Sequence, residues 1–295
     1  MSFRLAHLSD PHIGPLPKPA LRDLMGKRLT GYMNWQRRAH IHNMDVLHAI
    51  VADMQAQKPD HIAMTGDIVN LGMAAEFTLA KTWLESLGPE HHVSFVPGNH
   101  DAYMNESMSW LAEVFSPWTR SDSLPHQGYP YLRQREELAI IGLSSAIPTA
   151  PFLASGHLGA EQCAALAELL DQAKAQGQAR IILIHHPPYR KGATIGRGLR
   201  DSDQFAKIIE RHGAELILHG HNHRTMTAYL PGPDGLVPII GAGSASAVPG
   251  TPKHHALYNL YEITRSERRW TIKASSRGLL PGTDQIGALG PIKID

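Results

Sequence analysis

The stretch HVSFVPGNHD, residues 92–101, changes character half-way along. Val93, Phe95 and Val96 make a strand-like apolar run, Pro97-Gly98 stops it, and Asn99, His100 and Asp101 follow as three polar groups in succession. Polar side chains are poor core material because each donor or acceptor taken from water needs a partner. They read as chemistry. The same pattern of an apolar run ending in polar residues recurs in FRLAHLSD (3–10), HIAMTGD (61–67), LAIIGLSS (138–145), ARIILIHHPP (179–188) and AELILHGHNH (214–223). Helical periodicities lie between them. Met44, Leu47, Ile50, Val51 and Met54 repeat at three and four residues, as do Phe77, Ala80, Leu84 and Leu87, and a further helix is predicted over 160–175 between Gly159 and Gly177. Strands alternating with helices predict an α/β layered fold with much parallel pairing. In such sheets ligands gather beyond the C-terminal strand ends, where these polar clusters fall.

Beyond about residue 214 the helical patterns vanish, and RTMTAYL (224–230), LVPIIGA (236–242), ALYNLYEI (256–263) and RRWTIKA (268–274) read as consecutive strands that add a largely antiparallel sheet. There is no internal repeat and no low-complexity linker, so residues 1–295 are read as one domain, with an irregular Gly/Pro-rich tail over 275–295.

A chain of 295 residues that is 42% hydrophobic can bury a sizeable core without covalent staples. Its 28 basic and 27 acidic side chains nearly cancel, which gives no global case for binding a nucleic-acid duplex. The one cysteine, Cys163, sits in an apolar helical stripe and excludes both a disulfide framework and a cysteine zinc cluster. No apolar run has the length of a membrane span, and MSFRLAHLSD begins as a strand without the charged-then-apolar pattern of a signal peptide, so a cytoplasmic location is expected. Nineteen histidines against six phenylalanines is the unusual count, and some of them are expected to bind something.

Gathered from the strand ends, the polar residues are Asp10, His12, Asp67, Asn99, His100, Asp101, His185, His221 and His223. Any one of them has a bland explanation as a helix cap, a turn residue or a satisfied histidine. Together, each beside a Gly or Pro that permits close backbone approach, they point to a shared centre. Two carboxylates, one amide oxygen and four imidazoles suit first-row divalent cations such as Mn, Fe or Zn better than magnesium. Seven ligands exceed one tetrahedral site and suffice for two cations bridged by Asp67. No Gly-x-Ser-x-Gly elbow or complete P-loop offers a competing nucleophile scheme.

The motifs DPH, GD, GNHD, HHPP and GHNH, in this order between residues 10 and 223, resemble those of the calcineurin-like metallophosphoesterase superfamily. The resemblance implies a four-layer α-β-β-α sandwich, with two mixed β-sheets flanked by helices. It also implies that Asp10, His12, Asp67 and His223 hold one metal while Asp67, Asn99, His185 and His221 hold the other. His100 would be the catalytic histidine and Asp101 the acid that orients it. Hydrolysis of a phosphoester, above all a phosphodiester, by a hydroxide held between the metals is the implied reaction. In GDIVN, Asn70 stands where many members carry a second aspartate. His186 and His219 are expected outside the ligand set.

Residues 18–42 form a basic amphipathic insertion directly after the first metal motif. Within it Lys18, Arg22, Lys27, Arg28, Arg37 and Arg38 face a single acid, Asp23, and Leu21, Leu24, Met25, Leu29, Tyr32 and Met33 recur at helical spacing with Trp35 beyond. It reads either as a helix with a solvated basic face or as a cap over the site that contacts a membrane interface or an acyl chain. Arg28, Trp35, Arg37 and Arg38 are then the candidate substrate contacts. Three functional alternatives follow by resemblance: a phosphodiesterase acting on a small soluble ester, a peripheral-membrane pyrophosphatase acting on a nucleotide-linked lipid such as UDP-2,3-diacylglucosamine, and a non-enzymatic metal-binding scaffold.

Overall fold

The computed structural model describes residues 2–122, 128–248, 255–266 and 269–294. The chain starts with strand β1 (Ser2–Leu8), crosses helices α1 (Lys27–Arg38) and α2 (Met44–Ala56), and returns as β2 (His61–Met64). Helix α3 (Ala74–Leu87) leads to β3 (Val93–Phe95), and α4 (Asn105–Val114) and the short α5 (Ser116–Thr119) lead to the hairpin β4 (Tyr131–Arg135) and β5 (Leu138–Gly142). Then come α6 (Ala160–Ala175), β6 (Ala179–Leu183), α7 (Ser202–His212) and six more strands. These are β7 (Leu216–His219), β8 (Met226–Gly232), β9 (Gly235–Gly241), β10 (Leu257–Ser266), β11 (Arg269–Leu279) and β12 (Ile286–Ile292).

The strands make two mixed sheets, ordered β12-β11-β10-β1-β2-β3 and β4-β5-β6-β7-β9-β8. Alternation along each central strand explains the layering, because successive side chains point to opposite faces. Phe3 and Leu5 of β1 pack between the sheets with Ile140, Ile181, Leu183 and Leu218. Ala6 and Leu8, of the other parity, lie beneath α2 and α3 with Leu47, Ile50, Phe77 and Leu84. In the second sheet Ile182 and Ile217 face α6 and α7, against Leu166, Leu170, Phe205 and Ile209. Each such fully buried aliphatic side chain contributes about 1.5–3 kcal/mol. Strands apolar on both faces are therefore covered on both, and the four-layer α-β-β-α sandwich is what is observed.

Helix α6 spans the residues predicted for it, and Gly159 and Gly177 both adopt positive φ at its ends. Two expectations require correction. The strands beyond residue 214 do not make one antiparallel sheet: β8 and β9 extend the second sheet, with β9 parallel to β7, while β10 and β11 extend the first beside β1. The tail predicted to be irregular instead continues β11 to Leu279 and adds β12, paired antiparallel with it, whereas residue 295 lies outside the described residues. Arg277 of β11 ties this edge to α2 through Asp53 (2.7 and 2.8 Å).

Several of the histidines belong to the core. His7 bonds Thr65 Oγ1 and His61 bonds Ser94 Oγ, both at 2.8 Å, and burial pushes the His7 imidazole down to about 3.

Candidate metal centre

Five strand ends, from β1, β2 and β3 of one sheet and β6 and β7 of the other, deliver the predicted ligands to one edge of the sandwich. Asp10, His12, Asp67 and His223 present ligand atoms that all lie within 4.8 Å of one another. His12 Nε2 stands 3.3 Å from His223 Nε2, and His223 Nε2 stands 3.2 Å from Asp10 Oδ1. On the other side of Asp67, its Oδ2 is 3.3 Å from His185 Nε2, and His221 Nδ1 lies 2.9 Å from Asn99 Oδ1 and 3.3 Å from His185 Nε2.

The backbone is bent to achieve this. Asp10, His12, Asp67, His221 and His223 all have left-handed φ, between 42° and 70°. Non-glycine residues visit that region at a cost of order 1–3 kcal/mol, and such strain concentrates at functional sites. Close approach does the rest. A Cβ on Gly220 would strike Ser9 Oγ and Asp10 Oδ2, and one on Gly98 would strike the Asp67 carboxylate and His185.

The donor set fits cations. Ser9 Oγ and the His221 amide both donate to Asp10 Oδ2, at 2.6 and 3.0 Å, whereas the buried Asp10 Oδ1 accepts no hydrogen bond. His221 Nε2 is likewise buried without a partner. Two imidazole nitrogens facing each other at 3.3 Å, as in His12 and His223, share at most one proton between them when neutral, and a cation satisfies both. Burial holds the His12 and His221 imidazoles well below their usual range and so keeps them in the neutral form that ligates. His185 Nδ1 donates to the Thr65 carbonyl (2.6 Å), which aims Nε2 at Asp67. His186 has both nitrogens engaged, by Ser145 Oγ and the Ala154 carbonyl, and His219 is buried with Nδ1 against the Gly220 carbonyl.

Residues 3–225 match the family model described as calcineurin-like phosphoesterase. The chain belongs to this family. Family membership makes it a phosphoric ester hydrolase and implies two divalent cations. A probable cyclic nucleotide phosphodiesterase of Synechococcus sp. is 25% identical over 281 residues, 92% of this chain and 93% of that one. A probable glycerophosphodiester phosphodiesterase GpdQ of Arcobacter nitrofigilis is 29% identical over 184 residues, 58% of this chain and 59% of the other. Among solved structures, a dimetal phosphatase from Danio rerio shares the fold at TM-score 0.66 and 14% identity, with 98% of each chain covered.

Around the ligands of this phosphoesterase, two expectations change. The Asp101 carboxylate is not the partner of the His100 ring. It accepts four backbone amides, those of Asp67 (2.8 Å), Ile68 (3.0 Å), Val69 (3.2 Å) and Gly98 (2.8 Å), and so clamps the two loops that carry Asp67 and Asn99. His100 is oriented instead by the Asn70 carbonyl, 2.6 Å from Nδ1, while the Asn70 side chain is spent on the Ile13 carbonyl. The main chain of residue 70 supplies the acceptor expected of a carboxylate. Burial first, partly offset by the Asp67 charge, lowers the His100 pKa.

The second correction concerns the insertion. Arg28 is buried, donates to the Leu71 and Gly72 carbonyls at 3.0 and 2.6 Å, and pairs with Glu106, so it anchors α1 and is not available to a substrate. The predicted helix is also broken: Leu21–Leu24 form a separate 3₁₀ turn, and α1 begins after Gly26 and includes Trp35. Trp35 and Arg38 do line a cavity of about 110 Å³ over Asp67, His12, His100, His221 and His223, whereas Arg37 is exposed and does not line it.

Sequence reasoning missed His42, Tyr103 and Arg197, which line the same cavity. His42 is held by Ser246 Oγ at 2.7 Å with its ring 4.6 Å from that of His12. Tyr103 follows GNHD by two residues and His42 closes the 18–42 insertion, but neither repeats a ligand motif, and Arg197 has no motif around it.

Proposed function

We propose that this chain hydrolyses a phosphodiester, with Asp10, His12, Asp67 and His223 holding one divalent cation and Asp67, Asn99, His185 and His221 the second. One shared carboxylate carries this proposal. Asp67 lies within 4.8 Å of the Asp10, His12 and His223 ligand atoms on one side and 3.3 Å from His185 on the other, so both cation positions meet at it. Cations bound there would supply Lewis-acid charge to the phosphoryl oxygens and nucleophilic water near neutral pH. Mn, Fe or Zn suits the imidazole-rich donors.

The rest falls to the chain itself. The Asn70 carbonyl accepts the Nδ1–H hydrogen bond of His100, which leaves Nε2 as the nitrogen that, when the ring is protonated, gives its proton to the leaving oxygen and returns to the neutral form. Arg38 and Arg197, which both line the cavity, bring positive charge to a phosphate, and Trp35 gives an apolar wall for the alcohol it esterifies. The names of the Synechococcus and Arcobacter relatives, both phosphodiesterases, support a diester.

The test is chelation and rescue. EDTA should abolish hydrolysis of bis(p-nitrophenyl) phosphate and Mn²⁺ should restore it, with p-nitrophenyl phosphate turned over more slowly. Activity that survives the chelator overturns the cation assignment, and a metal-loaded protein that cleaves neither ester points to a binding scaffold. A second reading, in which the ester is carried by a lipid such as a nucleotide-linked diacylglucosamine, is favoured by the exposed apolar side chains of the insertion.

A further inference from the structure

Large apolar side chains are left in water on one part of the molecule. Ten are exposed among the described residues, and seven of them, Leu21, Met25, Leu29, Met33, Phe152, Leu153 and Ile195, lie on three segments, two of which also contribute lining residues to the metal cavity. Phe152 and Leu21 are 91% exposed and Ile195 fully so. Isolated exposed hydrophobics are ordinary, but their concentration on these segments is not.

The three segments are tied together. Lys27 Nζ at the start of α1 donates to Thr149 Oγ1 (3.0 Å), and Thr149 Oγ1 donates to the Leu153 carbonyl (2.7 Å). The Ala154 amide donates to the Gly196 carbonyl (3.0 Å), and Gly156 pairs with Leu199. Arg197, between them, lines the cavity. Leu29 and Met33 stand one turn apart on α1, on the side away from the cavity-lining Gly31, Asn34, Trp35 and Arg38. On α1 this apolar pair thus faces away from the site while the polar residues face it.

Cations accompany them. Lys18, Arg22, Arg37 and Lys191, none of which lines the cavity, are exposed on these segments. Asp23 is the one acid within 18–38, and residues 189–200 contain none. We propose that this face docks on an anionic lipid bilayer, with Phe152, Ile195, Met25 and Met33 entering the headgroup–acyl boundary and the basic side chains pairing with lipid phosphates. A second copy of the chain is the weaker occupant, because a twofold contact through this face sets the arginines of one copy against those of the other. No helix among the described residues is long and apolar enough to cross a membrane, so the contact is peripheral. Docking in this orientation brings lipid-borne phosphodiesters to the cavity mouth, and that consequence, unlike the docking, rests on the proposed hydrolysis.

Co-sedimentation of the full chain with vesicles tests the docking. The protein should pellet with phosphatidylcholine vesicles containing phosphatidylglycerol, more weakly with phosphatidylcholine alone, and less as salt is raised. Phe152→Ser with Ile195→Ser, and separately Met25→Ser with Met33→Ser, should each weaken vesicle binding at least about tenfold while leaving hydrolysis of bis(p-nitrophenyl) phosphate unchanged. Equal binding by wild type and variants, or no binding to anionic vesicles, overturns the proposal. So does a dimer in light scattering that the same substitutions dissociate. Vesicle binding in a protein that does not cleave the soluble ester would reject the hydrolysis and keep the docking; the reverse would do the opposite.

Discussion

Asn99 and His100 are adjacent, yet their side chains have different tasks. Asn99 Oδ1 points at His221 Nδ1 within the ligand cluster, whereas His100 is turned by the Asn70 carbonyl to line the cavity. Their variants should part accordingly. Asn99→Ala should lose metal affinity and turnover together. His100→Ala should bind Mn²⁺ with near-native affinity by calorimetry yet lose roughly two to four decades in kcat. Equal loss of metal by both variants would place His100 among the ligands. At this scale the sequence was informative about identity and silent about conformation. A carboxylate or imidazole after an apolar run can be read directly, but the left-handed φ of Asp10, His12, Asp67, His221 and His223 leaves no sequence trace, because none of them is glycine. The Asp101 role was hidden for a similar reason: its partners are backbone amides, which every residue carries.

Among the elements, α1 shows how a functional surface is mounted on a structural bolt. Its guanidinium at Arg28 reaches the Leu71 and Gly72 carbonyls and Glu106, in the loop that follows Asn70 and at the start of α4. Arg28→Ala leaves the buried Leu71 carbonyl without its donor and the Gly72 carbonyl with Ser107 Oγ alone, a loss of about 1–3 kcal/mol in chemical denaturation. It should also free α1, so limited proteolysis should cut between residues 20 and 38 faster than in wild type. Arg28→Lys should recover only part of the loss, because an ammonium does not reproduce the planar fork. Unchanged proteolysis in Arg28→Ala would mean that α1 is held by its apolar contacts alone. Local periodicity located α2, α3 and α6 in the sequence, since each has a stripe that packs on a sheet. It could not assign β8–β12 to their sheets: the parallel pairing of β9 with β7 and the antiparallel pairing of β10 with β1 are set by distant partners. The run of Gly and Pro in β12 hid a strand at the sheet edge, where such residues are tolerated.

For the molecule as a whole, the centre lies where the two sheets meet. Asp10, His12, Asp67 and Asn99 come from loops of the first sheet, and His185, His221 and His223 from loops of the second. Cations held there would link the sheets and offset the strain of five left-handed residues, which would couple metal binding to the stability of the native state. At a free metal concentration about a hundredfold above Kd, linkage gives roughly 2.7 kcal/mol for one site. Mn²⁺ should therefore raise the thermal midpoint of EDTA-treated protein by several degrees, and the rise should grow with the logarithm of concentration above Kd. Asp67→Ala removes the shared carboxylate and should suppress the rise, while the distant Asp53→Ala should lower the midpoint without changing the response to metal. A rise of equal size in wild type and Asp67→Ala would mean that Mn²⁺ stabilises the protein elsewhere and that the two sets of loops do not close on a common pair of ions.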